Sequence, residues 1–457
     1  MSETTRYRCE LAWLPPGDVH ADVVVEVRAG RIVSITSGLE GSEQTPGDTV
    51  RLDGLVLPGT ANTHSHAFHR VLRGATHANG GTFWTWRELM YRAAAALDPD
   101  GYRALARAVF AEMASAGFTS VGEFHYLHHR ADGRRHPDAN AMGAALVAAA
   151  RDAGIRLTLL DACYLAAGPG RPTTGTQTRF DDGDAAGWAA RVEDLHRAHA
   201  ADDVVVGAAV HSVRAVPLDE IPVVAAWARA HDAPLHVHVS EQPAENEACL
   251  AAYGRTPVRV LADAGALGPR TSAVHATHLS PDDVADLAGA GALVSLCPTT
   301  EADLGDGIGP VSELVAAGVR FTLGTDSHAS IDPFEEARRA EWDQRLTHHQ
   351  RGNLTVEALL RALTDDGQAS LGYADAGRLE PGARADLVAV DLGSTRTAGA
   401  DPATAAATVV FAASAADVTD VIVDGRRVVR DREHVLGDVA GILAEAVAAV
   451  RAADHHA

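Results

Sequence analysis

The chain has 457 residues, 39 of them basic and 61 acidic, and its formal charge of −22 argues against a nucleic-acid glove. With 46% hydrophobic and 22% charged residues, it has the composition of a soluble globular enzyme, not that of a fibre, a disordered tail or a disulfide-stapled secreted domain. All 39 basic residues are arginine, which excludes pyridoxal-phosphate enzymes, lysine aldolases, P-loop nucleotide hydrolases and hydrolases built on a carboxylated lysine.

Residues 1–54 hold the alternating segments Val23–Val27 and Arg31–Ile35, which predict β-structure. No basic and apolar leader opens the chain, no stretch approaches the roughly 18 apolar residues needed to span a bilayer, and Cys9, Cys163, Cys249 and Cys297 form no CxxC pair. The expectation is a cytoplasmic protein with reduced thiols. From residue 55 to 326, β-branched apolar runs alternate with Ala-rich helical segments such as Tyr102–Ala116 and Asp219–Ala230.

Eight strands are predicted there: Leu55–Ala61, Thr119–Phe124, Arg156–Asp161, Val204–Val210, Leu235–Val239, Ser272–Ala276, Leu293–Leu296 and Arg320–Thr325. That pattern fits an α/β fold, a (β/α)8 TIM-like barrel, whose active site lies on the loops after the C-terminal strand ends. Further on, Asp386–Asp391 and Val418–Val423 again read as strands, and the last 20 residues as a helix. Neither flank is long enough to bury much alone. The expected organisation is therefore a small β-sandwich from 1–54 plus 378–433, a barrel over 55–377 inserted in it, and a C-terminal helix and tail over 434–457. The Gly-rich stretch Gly168–Gly183 is expected to be a long loop.

Past the first barrel strand stands Thr63-His64-Ser65-His66, where alternate residues of an extended segment point two imidazoles the same way, as one metal ion requires. Among 23 histidines some pairs arise by chance, and His128/His129, His348/His349 and His455/His456 read as solvated surface residues or loop ends. The pattern gains weight from His211, His238, His275 and Asp326, which follow the fourth, fifth, sixth and eighth strands. Such groups are costly to bury unpaired, and together they point to metal binding. Two segments carry a choice. Glu241, three residues beyond, favours His238 over the deeper His236 as a ligand, and His275 lies nearer its strand end than His278.

The order of HxH after strand one, His after five and six, and Asp after eight resembles the amidohydrolase superfamily of metal-dependent barrel hydrolases, and Gly377–Asp391 is similar to that superfamily's return to its small β domain. The resemblance to its deaminase branch implies one Zn2+ per chain, or another divalent ion such as Fe2+, held by His64, His66, His238 and Asp326. A bound ion of this kind lowers the pKa of water from 15.7 to about 7, on the order of 12 kcal/mol. The expected roles are Asp326 orienting the nucleophile, His275 polarising the group under attack, and Glu241 carrying the proton to the leaving nitrogen. The cytidine-deaminase type of zinc site needs a PCxxC, which the chain lacks.

Thr82–Tyr91 places Trp84 and Trp86 around Arg87, as a helix packed on the barrel mouth or as a pocket wall. With Tyr126, His211 and Arg214 it surrounds the predicted metal with donors suited to carboxylates, and two arginines suggest two carboxylates. The strings FWTWRELMY, SVGEFHYLHH, AVHSVRAV and LCPTTEADLGDGIGP closely resemble the branch of the superfamily that acts on N-formimino-L-glutamate. That resemblance implies zinc-dependent hydrolysis of this small dicarboxylate to N-formyl-L-glutamate and ammonia in histidine degradation, by a homo-oligomer, a dimer. His69 stands where relatives carry glutamine; as a neutral donor and acceptor it is expected to bind substrate with altered affinity. Two alternatives remain at this level, a deaminase of a nucleobase or related heterocycle and a non-catalytic metal-binding or ligand-sensing barrel. Neither nucleic acid nor membrane is an expected partner.

Overall fold

The computed structural model describes residues 4–38, 49–76 and 83–454. Its centre is a parallel sheet of eight strands that neighbour one another in chain order. They are β1 (Thr60–Ser65), β2 (Phe118–His125), β3 (Arg156–Cys163), β4 (Val204–Val210), β5 (Leu235–Val239), β6 (Thr271–His275), β7 (Leu293–Leu296) and β8 (Arg320–Leu323). β2 and β3 are buried at every position, as parallel strands are when helices cover one face and a barrel interior the other. Local chemistry sets the helix limits. In Pro99–Ala116, Asp98 accepts from the Gly101 amide, Pro99 occupies the first turn, and Gly117 ends the helix at φ 109°, a conformation that favours glycine.

β1 and β8 close the barrel only at their C-terminal ends. Ser65 bridges Asp326 in parallel, the amides of Thr325 and Asp326 donate to the His64 carbonyl at 3.0 and 2.9 Å, and the His66 amide donates to the Asp326 carbonyl at 3.1 Å. Asn62 reinforces the seam, its amide donating to the Thr325 hydroxyl at 2.7 Å and its oxygen accepting the Thr325 amide at 3.0 Å. Gly324 makes the approach feasible, since a Cβ there would lie 2.7 Å from the His64 nitrogen.

Strands from both chain ends form one continuous eight-stranded sheet. The ends meet where Leu387–Val390 pairs antiparallel with Leu55–Pro58. One face encloses a small core around Cys9, Val25, Leu52, Val56 and Leu387, while Leu55, Leu57, Val388 and Val421 join the main core. A buried Arg156–Asp386 pair, with the Arg156 Nη1 to Asp386 Oδ1 distance at 2.9 Å, ties the start of β3 to this sheet.

The first expected strand, Leu55–Ala61, divides at Gly59. Residues Thr49–Pro58 belong to the terminal sheet, and the barrel strand starts at Thr60. Both halves are apolar and fully enclosed, so periodicity does not mark the switch of sheets. Gly168–Gly183 is more ordered than expected. Ala166–Gly168 and Arg171–Pro172 form a short hairpin, and Gly175–Arg179 a 3-10 turn. The C-terminal helix runs over Val439–Asp454 and packs on Pro99–Ala116. Among the described residues no helix is long and apolar enough to cross a membrane.

The closure makes a direct prediction. Gly324→Ala should destabilise the fold by about 1–3 kcal/mol through overpacking at the seam, read as a lower thermal midpoint, and should also lower metal content by moving His64. Wild-type stability and metal content in this variant would show that the seam tolerates displacement.

Candidate metal centre and active site

His64 and His66 leave the end of β1, His238 lies on β5 and Asp326 follows β8; all four are buried and offer ligand atoms within 4.8 Å of one another. The His238 Nε2 lies 3.0 Å from that of His64 and 3.4 Å from that of His66. Asp326 Oδ1 is 3.4 Å from His64 Nε2 and 3.3 Å from His66 Nε2. Ligands about 2.0–2.1 Å from a zinc-sized ion are separated by roughly these distances.

The outer nitrogens test the fit. His66 Nδ1 donates to the Phe124 carbonyl at 2.9 Å, and His238 Nδ1 to the His211 carbonyl at 3.0 Å. Burial pushes His66 down to about 4 and His238 well below the usual imidazole range, so both rings are neutral and carry their proton on Nδ1. Their inner nitrogens then face each other at 3.4 Å as two bare lone pairs, an arrangement that a shared cation relieves. For Asp326, burial pushes upward, but the His64 hydrogen bond and the surrounding imidazoles outweigh it and hold the carboxyl well below the usual range. Three neutral nitrogens and one carboxylate fit a divalent metal.

Around this cluster the backbone is turned sharply. Ser240, His275, Ala276, Asp326 and His328 all have positive φ, from 40° to 68°; strain gathered at the ends of β5, β6 and β8 aims side chains into one space. His275 is 1% exposed. Its Nε2 lies 3.9 Å from Glu241 Oε1 and its Nδ1 3.3 Å from Glu301 Oε1. Burial pushes this imidazole down, but the Glu301 hydrogen bond and the Glu241 and Asp326 carboxylates prevail and raise it to about 10. His278, the other candidate on this segment, points away and donates from Nε2 to the Asp306 carbonyl at 2.8 Å. His236 is buried deeper along β5, on the same side as His238.

A cavity of about 600 Å³ opens on the cluster and is lined by His66, His238, His275 and Asp326. The expected substrate residues His69, Arg87, Tyr126, His211 and Arg214 line it too, as does Glu241. The His69 Nε2 and the Tyr126 hydroxyl are 3.0 Å apart, and the His69 ring lies 4.5 Å from that of His66. Arg87 donates to the Tyr91 hydroxyl at 2.7 Å. Arg214 lies 3.5 Å from Glu241 and 3.8 Å from Glu245. The hairpin and turn of residues 166–179 form part of the cavity wall, where Gln177 donates to the Tyr164 hydroxyl at 2.8 Å.

One expectation about histidine pairs needs correction. His128 and His129 are buried, not solvated: their amides donate to the Arg179 carbonyl, and their Nε2 atoms donate to the carbonyls of Ala162 and Asp181. Local pattern hides this because a distant segment covers them. His125, His128 and Asp161 form a second close group, but Arg191 donates to both Asp161 oxygens at 2.7 and 2.8 Å, and a guanidinium so near disfavours a further cation. His348 and His349 are exposed as expected, and His455 and His456 lie outside the described residues.

Three carboxylates at the site escaped sequence reasoning: Glu301 beside His275, Glu245 beside Arg214, and Glu123, which accepts from the Ser65 hydroxyl at 2.5 Å and the Ala67 amide at 2.7 Å, on either side of His66. Glu123 is pushed up to about 8 by burial. Each is an acid near a strand end or one turn into the helix that follows, a weak signal without knowledge of what faces it.

With this architecture and this cluster, the chain belongs to the amidohydrolase family, whose profile matches residues 55–428. The formimidoylglutamate deiminase of Pseudomonas aeruginosa is 40% identical over 398 residues, covering 84% of this chain and 86% of its own length. An amidohydrolase structure from Brucella melitensis superposes with a TM-score of 0.89 at 34% identity, over 98% of this chain and 100% of that one. An adenosine deaminase from Xanthomonas campestris, solved with bound zinc, gives 0.84 at 25% identity over 99% of each chain.

His238→Ala should empty the centre by elemental analysis, whereas Arg214→Ala should keep its metal and raise KM; metal loss from the arginine variant would sink this division. Burial also lowers His128, to about 4, so the unfolded chain binds its proton first and stability falls as pH drops from 6.5 to 4. The contribution approaches about 1.4 kcal/mol per pH unit. His128→Gln should therefore lose less stability than wild type over that range in denaturant unfolding, and parallel pH profiles would refute the assignment.

Proposed function

We infer that this chain hydrolyses N-formimino-L-glutamate to N-formyl-L-glutamate and ammonia, a step of histidine degradation. The observation that carries the reading is that one cavity is lined both by the His/Asp cluster and by arginines, Arg87 and Arg214 near it and Arg171 on the hairpin of the wall. A dicarboxylate with an amidine-like carbon matches both ends, and the Pseudomonas relative bears the corresponding name. A neutral heterocycle has little use for two arginines.

His64, His66, His238 and Asp326 would hold Zn2+, with Fe2+ as the other candidate; nitrogen and carboxylate ligands suit zinc. When bound, such an ion supplies Lewis acidity and brings the pKa of a coordinated water to about 7. The remaining steps belong to the chain. The ionised Asp326 accepts a hydrogen bond from the attacking water and orients it. Glu241, between Arg214 and His275, takes one proton from that water and delivers it to the imino nitrogen, then carries the second, released as the tetrahedral hydroxyl becomes the formyl carbonyl, to the same nitrogen, which leaves as ammonia. His275 donates from Nε2 to the charge that develops on the heteroatoms of the tetrahedral intermediate.

Arg87 and Arg214 hold the carboxylates as charge-assisted donors, with Tyr126, His211 and His69 completing the pocket. The reading extends to a cytoplasmic homo-oligomer.

Ammonia release from N-formimino-L-glutamate, compared with guanine, adenosine and cytosine and paired with elemental analysis, tests the proposal. Turnover should be confined to the formimino compound, and release from a heterocycle alone would overturn it. Glu241→Gln should retain metal and lose activity by about 10²–10⁴-fold; undiminished turnover would remove Glu241 from proton transfer.

A further inference from the structure

β7 is followed at once by the helix Pro298–Leu304, with Cys297 at its N-cap. Glu301 stands one turn in, buried, and folds its side chain back towards the helix start. Its Oε1 accepts the Cys297 amide at 2.9 Å and lies 3.3 Å from His275 Nδ1. A carboxylate accepts, so the imidazole donates from Nδ1. The two ring nitrogens lie on opposite sides of the imidazole, and Nε2, the one 3.9 Å from Glu241, is the atom left for the cavity.

The helix is itself held in place. Glu336 accepts from the Thr299 amide at 3.0 Å and also binds the Thr299 hydroxyl. Thr300 donates to the Thr325 carbonyl at 3.1 Å, beside Asp326. Glu301 is thus mounted on an element fixed to the same seam that carries the metal ligands.

We propose that Glu301 is the positioning residue of the reaction: its carboxylate holds the Nδ1–H of His275 and so fixes the ring orientation in which Nε2–H faces the reacting group. This rests on the hydrolytic reading of the site. A helix cap alone would need only an acceptor near the Cys297 amide. The contact with His275 requires more, because a hydrogen bond to a carboxylate is roughly twice as strong as one to a neutral acceptor, and a glutamine amide can turn its NH2 towards the ring. The positioning also separates two tasks. An imidazole whose Nδ1 is engaged stays where it can donate from Nε2, and proton carriage is left to Glu241 on the other side of the ring.

The test compares Glu301→Gln, His275→Asn and the double variant, all metal-loaded. Glu301→Gln should lower kcat by about 10–100-fold, with KM within about twofold and metal content and thermal midpoint close to wild type. Added to His275→Asn, it should cost less than about twofold, since there is no longer a ring to position. Wild-type kcat in the single variant, or the same loss in both backgrounds, would reduce Glu301 to a helix cap.

A readout independent of turnover is the ¹⁵N spectrum of histidine-labelled protein prepared without metal. Wild type should show a protonated His275 Nδ1, and Glu301→Gln should shift that resonance. A bare Nδ1 in wild type would overturn the proposal even if the variant failed to fold. Should wild type release no ammonia from N-formimino-L-glutamate, the substrate reading would fall while the spectrum still decided the Glu301–His275 contact.

Discussion

The structure depends on how its barrel closes. Near their C-terminal ends β1 and β8 meet through the backbone of His64, Ser65 and His66 against that of Thr325 and Asp326. Three of the four candidate ligands, His64, His66 and Asp326, thus also make the hydrogen bonds that complete the cylinder. The cost of bringing three imidazoles and a carboxylate together in a dry space is large when they are unpaired. It is offset in part by the carbonyls that hold the outer nitrogens of His66 and His238, and the inner atoms are arranged as a shared cation requires.

Around that centre the protein has placed more acid than base. Glu241, Glu245, Glu301 and Asp306 are buried within the same group of side chains as His275 and Arg214, and burial raises Asp306 to about 9. Acids gathered this closely compete for the positive groups. Arg214 illustrates the consequence: it faces two pocket carboxylates before any substrate carboxylate arrives. On the proposed reading, recognition of an anion here is an exchange of partners, and the net charge of −22 matters less than the few ångströms around the guanidinium groups, because distant exposed charges are screened.

The alternation of strands and helices, the inserted barrel and all four candidate ligands were legible in the residues, since each rests on a local pattern: an extended HxH, a polar residue just beyond an apolar run, a Gly or Pro at a boundary. What stayed hidden shares a different cause. The division of Leu55–Ala61 at Gly59 leaves no mark in the periodicity because both halves are fully buried. His128 and His129 looked solvated because the segment that covers them comes some fifty residues later, at Arg179. Glu301 lies inside LCPTTEADLGDGIGP, but an acid in the first turn of a helix is ordinary until an imidazole is found opposite it.

By itself, then, the amino-acid order determined which groups the protein possesses, on which face of which element each stands, and, through the absence of lysine, which chemistries are closed to it. The sequence also favoured His238 over His236 and His275 over His278, but only the tertiary structure decided how closely the favoured groups approach one another and which acids face them. Periodicity specifies a direction relative to the local backbone, whereas the distance between atoms from β1, β5, β6 and β8 is set by the curvature and closure of the whole sheet, which no single segment contains.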